Sequence, residues 1–296
     1  MKFAAIDIGS NAVRLLLSLV LDDNGLPFFK KESLVRIPIR LGRDAFTKGS
    51  ISDSKTESLI LTMQGFHHLI KAYNPVDFMA CATSAMREAR NGRKIVARIE
   101  EESGIKVEIV DGRREAEIIY ANHIEQSLGR ENGYRYIDVG GGSTELTLFS
   151  GKKSIESKSF DIGTIRLLKN LVTETTWKAL KTWVKDHSRS FRPICAIGSG
   201  GNINKIFRLT RKKEGKPLTY NKIKEIYQYL GKFSWEDRIR KLGLRPDRAD
   251  VILPAARIYL KIMKWGGIGK MYVPQIGLPD GLIHIMYENL KNTNNR

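Results

Sequence analysis

An α/β protein of two homologous halves facing a shared cleft is the architecture that this sequence of 296 residues predicts, and three observations carry it. Phe3-Ala4-Ala5-Ile6-Asp7-Ile8-Gly9-Ser10-Asn11 and Tyr136-Ile137-Asp138-Val139-Gly140-Gly141-Gly142-Ser143-Thr144-Glu145 share one plan: an apolar strand, an Asp, a Gly/Ser turn, then a second strand. Strand-like and helix-like patterns alternate between them, which argues for an α/β domain. A third glycine turn, Ile197-Gly198-Ser199-Gly200-Gly201-Asn202, follows an apolar strand and opens a helix, the arrangement that aims several amides at an anion.

These turns suit phosphate. Glycines let backbone amides approach an anion, hydroxyls add donors, and an Asp at a strand end reaches a hydrated cation that screens phosphoryl charge. A single Asp-x-Gly turn is usually only a hairpin, whereas two in one chain suggest a duplicated unit.

Taken in order, residues 3–21 read as two strands joined by Gly9-Ser10-Asn11, the second apolar nearly throughout as a centrally placed strand is. A further strand is expected near 28–39. Leu59, Met63, Phe66, Leu69 and Ile70 recur at helical spacing and predict a helix from Ser52 or Asp53 to about Tyr73, closed by Pro75. A buried strand over 77–83, a helix over 92–103 and a strand over 106–110 continue the alternation. Asp111 is placed to cap a helix over 113–128 that turns Ile118 and Ile119 inward. The opening theme returns at 134–149, and a strand over 194–197 leads into a helix over 202–209. Helices are expected over 220–230, 234–241 and 246–265, then a strand over 270–273, the turn Gly277 to Gly281, a last helix, and a frayed polar end from Lys291. The domains are drawn at 1–121 and 122–281, with 282–296 available to complete the first.

Lys and Arg outnumber Asp and Glu by 50 to 32, a formal charge of +18, while 42% hydrophobic and 28% charged residues make a globular composition. Such charge favours polyanions. The cations are spread along the chain with local clusters such as Arg211-Lys212-Lys213, and without interleaved aromatics or a nucleic-acid motif, specific nucleic-acid binding is not expected. Cys81 and Cys195 sit in apolar runs and read as core residues rather than a disulfide or metal pair. Asp7 and Arg14 interrupt the N-terminal apolar stretch, so a signal peptide is not expected. No run approaches about 18 apolar residues, so neither is a membrane helix. The resulting expectation is a cytoplasmic protein, with association into a homodimer left open by the sequence.

In sequence order the chain resembles the exopolyphosphatase / guanosine pentaphosphate phosphatase (Ppx/GppA) family. The resemblance runs through Asp7 to Asn11, Ala82-Thr83-Ser84-Ala85-Met86-Arg87-Glu88-Ala89, Glu115-Ala116, Asp138 to Leu146, Gly163-Thr164-Ile165-Arg166-Leu167 and Arg245-Pro246-Asp247-Arg248-Ala249-Asp250-Val251-Ile252. It implies two actin-like ATPase / sugar-kinase-type (ribonuclease H-like) domains flanking a cleft, in the short two-domain form. It also implies removal of terminal phosphate from polyphosphate or guanosine pentaphosphate (pppGpp), with magnesium and often a monovalent cation such as K+.

By that resemblance Glu115 is the catalytic base and Arg87 a catalytic phosphate clamp. Asp138, Glu145 and Asp7 are the candidate magnesium ligands. Gly9, Ser10, Asn11, Gly140, Gly141, Gly142, Ser143 and Thr144 present amides and hydroxyls to phosphates. Arg166 and the loop Gly198, Ser199, Gly200 shape the wall. A helix start favours the charged form of Glu115 and burial opposes it. Arg113 and Arg114 depart from the family pattern and would strengthen phosphate binding or tie up Glu115. Tyr120, His123, His67 and His68 lack metal partners at suitable spacing and read as packing or surface residues, and Trp177, Trp183, Trp235 and Trp265 as filling the second domain. The alternatives to an exophosphatase are a (p)ppGpp or polyphosphate sensor with little turnover and a sugar-kinase-type phosphotransferase.

Overall fold

The computed structural model describes residues 1–23, 26–122, 133–150, 153–189 and 194–294. In chain order the elements are β1 (Lys2–Ile8), β2 (Val13–Asp23), β3 (Leu26–Ile37), α1 (Leu41–Lys48), α2 (Asp53–Tyr73), β4 (Asp77–Ala82), α3 (Ser84–Glu88), α4 (Gly92–Ser103), β5 (Glu108–Ile109) and α5 (Gly112–Tyr120). There follow β6 (Gly133–Val139), β7 (Thr144–Ser150), β8 (Lys153–Phe160), α6 (Thr164–Leu168), α7 (Glu174–Arg189), β9 (Ile194–Ser199), α8 (Gly201–Leu209), β10 (Leu218–Thr219), α9 (Tyr220–Gly231), α10 (Trp235–Arg240), α11 (Pro246–Ala249), α12 (Ile252–Gly266), β11 (Lys270–Tyr272) and α13 (Leu278–Asn294).

Two compact units result, Met1–Asn122 with Leu278–Arg296 and His123–Gly277. The first holds a sheet of order β3-β2-β1-β4-β5, the second one of order β10-β11-β9-β6-β7-β8. Apart from the edge strand β10 the two orders are the same: an antiparallel meander (β1, β2, β3; β6, β7, β8) continued by parallel strands (β4, β5; β9, β11). This is the duplicated ribonuclease H-like plan of actin-type domains. The register places Asp7 opposite Arg14 and beside Cys81, and at the matching point of the second sheet Asp138 opposite Glu145 and beside Ser199.

In the first unit β1 is covered on both faces, so all but its first residue are buried. Leu59, Met63, Phe66 and Ile70 form the buried stripe of α2; Leu69 falls off that stripe and is 42% exposed. Helix α1 was not anticipated: Arg40 precedes it in the left-handed conformation without a side-chain cap, and the Gly42 amide donates to the Ser10 carbonyl instead. Helix α13 returns to this unit. Its Asp280 pairs with Lys31 at 2.6 Å, Tyr287 donates to Asp22 at 2.6 Å, and His284 stacks on Phe29. At Gly281 it comes so near α5 that an added Cβ would stand 1.8 Å from the Ile118 carbonyl oxygen.

The core of the second unit gathers on α12, where Ile258, Tyr259, Ile262 and Met263 are fully buried. Each full burial of such a side chain is worth about 1.5–3 kcal/mol. The helix expected over 246–265 is broken into α11 and α12. Pro254 has no N–H to give and its ring crowds the carbonyl of Asp250, four residues back. The polar edge strand β8 and helix α7 were also not anticipated. Trp183 is buried and Trp177 and Trp265 half-buried, but Trp235 is 44% exposed, its indole N–H donating to the Pro246 carbonyl. Cys81 is buried and Cys195 only half-buried, and both are free thiols. His67 and His68 are exposed on α2. His123 and the stretch 123–128 of the helix expected over 113–128 lie outside the described residues. Among the described residues no helix is long and apolar enough to cross a membrane.

Candidate active site

The first unit carries its candidate side chains at the ends of β1 and β4 and at the start of α5. The turn after β1 closes with the Gly9 amide donating to the Ala12 carbonyl at 3.1 Å, and the Thr83 amide donates to the Ile8 carbonyl. Ser10 and Ser84, both buried, share a hydroxyl hydrogen bond of 2.9 Å. The Ser10-Asn11 turn and the Thr83 to Ala89 block are thereby fixed to each other. Arg87, in α3, donates to the Val110 carbonyl at 2.8 Å and stands 4.0 Å from the Glu115 carboxylate. Glu115, 8% exposed, lies in the first turn of α5, whose start is capped by the Asp111 side chain accepting from the Arg114 amide at 2.7 Å.

Asp7 is buried at the end of β1, 2.5 Å from the Arg14 guanidinium on β2. Burial pushes its carboxyl pKa up while Arg14 draws it back. The ion pair with Arg14 distinguishes Asp7 from Asp138 and Glu145, the other candidate magnesium ligands. Burial first, then the charges of Asp7 and Glu115, hold the Cys81 thiol well above its ordinary range, which places both carboxylates around that residue. Arg113 and Arg114 turn elsewhere: Arg113, its side chain 85% exposed, pairs with Glu117, and Arg114 with Glu117 and Glu108.

The second unit assembles its cluster mainly from backbone. Gly140 to Ser143 form the turn between β6 and β7, with the Gly140 amide donating to the Ser143 carbonyl. The start of α6 is packed into this turn: the Thr164 and Ile165 amides donate to the Gly140 and Gly141 carbonyls, and Arg166 Nε donates to the Gly142 carbonyl at 2.7 Å. A Cβ on Gly163 would fall 2.2 Å from the Gly141 carbonyl oxygen, so only glycine allows this approach. The Thr144 hydroxyl, expected to face phosphate, donates to the Ile162 carbonyl and braces the turn.

Asp138 and Glu145 are cross-strand partners, and Glu145 is buried with the Ser159 hydroxyl donating to it at 2.9 Å. Burial, followed by the charges of Asp138 and Glu145, raises the pKa of Tyr259, whose hydroxyl donates to the Ser199 carbonyl. In the third glycine loop, Gly200 has φ +92° and a Cβ there would meet the Asp138 carboxylate at 2.6 Å, so this glycine lies against the acidic pair. Gly198 does not serve the loop that way: its Cβ position is filled by Met271 and Ile203, a core packing role. Arg248, within the motif over 245–252, covers Gly201 with its guanidinium, within 2.9 Å of where a Cβ would stand.

Among the described residues no group of three or more His, Cys, Asp or Glu is placed to hold a metal. Magnesium keeps several waters and takes one or two carboxylates, so the oxygen pair Asp138 and Glu145 fits that ion, while Asp7 is engaged by Arg14.

The duplicated sheet order and the Asp and glycine turn at the end of each central strand define a protein of the actin-like α/β class. More narrowly, the chain belongs to the Ppx/GppA phosphatase family, which it matches over residues 35–290. It is similar to the crystal structure of the Aquifex aeolicus Ppx/GppA family member, with a TM-score of 0.77 and 27% identity covering 99% of this chain and 98% of that one. It is 23% identical to Exopolyphosphatase 1 of Mycobacterium leprae over 304 residues, 96% of this chain and 88% of the relative. It is 28% identical to the bifunctional 3-dehydroquinate synthase/phosphatase of Fusobacterium nucleatum over 98% of its own length, and spans 46% of that relative.

Proposed function

We propose that the protein is a phosphoanhydride hydrolase that removes the terminal phosphate of inorganic polyphosphate, with pppGpp as a second substrate. The observation that carries this reading is Glu115, buried at a helix start beside Arg87, in a chain of the Ppx/GppA phosphatase family. The charge of +18 and the similarity to Exopolyphosphatase 1 support a polyanionic substrate.

The chemistry assigned to the residues is hydrolysis by a positioned water. Glu115 accepts the proton as the water oxygen bonds to the terminal phosphorus. The bridging P–O bond breaks, and its electron pair leaves with the shortened chain. Arg87, held by Val110, places its guanidinium against the phosphoryl oxygens, and in the second unit the amides of Gly141 to Ser143 are donors suited to phosphate. Asp138 and Glu145 would hold magnesium, which when bound neutralises phosphate charge.

The sensor reading drew on Arg113 and Arg114, and their pairing with Glu117 and Glu108 removes its motivation. The test is phosphate release from polyphosphate and from pppGpp, with and without magnesium, by the native protein and by Glu115→Gln. The native protein is expected to release phosphate only with magnesium and the variant to be nearly inert. Equal, metal-independent rates in both would overturn the mechanism.

A further inference from the structure

The second unit carries a basic hollow that the hydrolysis above leaves without a task. Helices α7 and α12 pack on each other, and each bears cations at helical spacing, Lys178, Lys181 and Lys185 on one and Arg257, Lys261 and Lys264 on the other. Beside them is a cavity of about 510 Å³ lined by Leu167, Asn170, Trp177, Arg257 and Lys261, with Glu174 the sole acid among its described lining residues. The Lys261 ammonium lies 4.8 Å from the Trp177 ring centre and 5.0 Å from that of Trp265, and the two rings meet edge-on. Partial burial, then the charges of Arg257, Lys181 and Lys264, lower the Lys261 pKa, so four cations share this neighbourhood. Like charges gathered in this way repel one another and raise the local concentration of anions.

We infer that this hollow is an accessory site for the body of a polyphosphate chain, a reading that rests on the proposed hydrolysis of its end. Helix α6 joins the two places: Thr164 and Ile165 at its start bond the Gly140 and Gly141 carbonyls, while Leu167 on the same helix lines the hollow. The aromatic rings favour polyphosphate over nucleic acid. Single-stranded nucleic acids gain affinity by stacking their bases on open rings. Here Lys261 lies over both Trp177 and Trp265, so what the site offers a ligand is charge.

The test uses the full chain with Lys181→Gln, Arg257→Gln and Lys264→Gln combined, three exposed positions, and Arg257→Glu alone as a second variant, each checked by thermal unfolding. Binding of end-labelled long-chain polyphosphate is followed by anisotropy over a salt series, alongside phosphate release from long-chain polyphosphate and from tripolyphosphate. The triple variant is expected to bind the long chain about tenfold more weakly, with a salt slope smaller by roughly 2–3, one unit per lost phosphate contact. KM for the long chain rises, while kcat and the tripolyphosphate parameters stay as they were. Unchanged long-chain binding overturns the site, as does an equal loss for tripolyphosphate. A single-stranded RNA of matched charge that binds as tightly and loses as much also overturns it. Should the native protein release no phosphate while the triple variant still binds the long chain more weakly, the hydrolytic reading fails and the binding site stands.

Discussion

The two sheets place an Asp at the same point, yet Asp7 faces Arg14 across its hairpin while Asp138 faces Glu145. One substitution of sign separates the two clusters. In the first unit the pair compensates itself, and the proposed chemistry falls to Glu115 and Arg87. In the second, two carboxylates lie together beside a turn whose donors are amides, a setting that suits a hard cation and an anionic substrate. One copy of the turn thus carries an ion pair and the other a pair of carboxylates, which the proposed function assigns to magnesium.

The largest expected effect tests the side-chain half of this contrast. Glu115→Gln should lower kcat for phosphate release by roughly 10²–10⁴, the usual worth of a general base, with the unfolding midpoint preserved. Next comes the ion pair. Asp7→Asn strands a partly buried guanidinium and should destabilise the protein by about 3 kcal/mol in denaturant unfolding, and Asp7→Asn with Arg14→Leu should recover part of that loss. A double variant no more stable than the single one would break the structural reading of the pair.

The backbone half is tested by Gly163→Ala, whose methyl would strike the Gly141 carbonyl. A cost of about 2 kcal/mol is expected, with KM for polyphosphate raised as the turn shifts. The smallest effect lies away from both clusters. Burial would raise the pKa of Asp44, but hydrogen bonds from Lys55 and Ser52 outweigh it and hold the group down to about 2. The stabilisation of about 1–2 kcal/mol is present above pH ~4 and lost as pH falls from there toward 2. Acid unfolding of Asp44→Asn should lack that part of the slope.

Much of this was legible in the sequence. The repeated strand, Asp and glycine turn announced the duplication, and Asp111 announced the start of α5. Other features were concealed for identifiable reasons. The partner of Asp7 follows from hairpin geometry, since strands joined by the turn at Gly9 to Ala12 bring position 14 opposite position 7, but in the sequence pattern Arg14 registers only as an interruption of an apolar strand. Sequence does not reveal which side of a glycine needs room, so Gly198, packed against Met271, looked like Gly200, packed against Asp138. Helix α1 carries no side-chain cap and β8 is an exposed polar edge, so neither offers a periodic apolar signal. The break before α12 was written in Pro254.

The contrast between the two Asp residues is tested most directly by titrating magnesium against the rate of phosphate release from polyphosphate for the native protein, Asp138→Asn and Asp7→Asn. The magnesium concentration for half-maximal rate should rise at least tenfold in Asp138→Asn and stay at the native value in the folded fraction of Asp7→Asn. A rise in Asp7→Asn with none in Asp138→Asn would contradict the account.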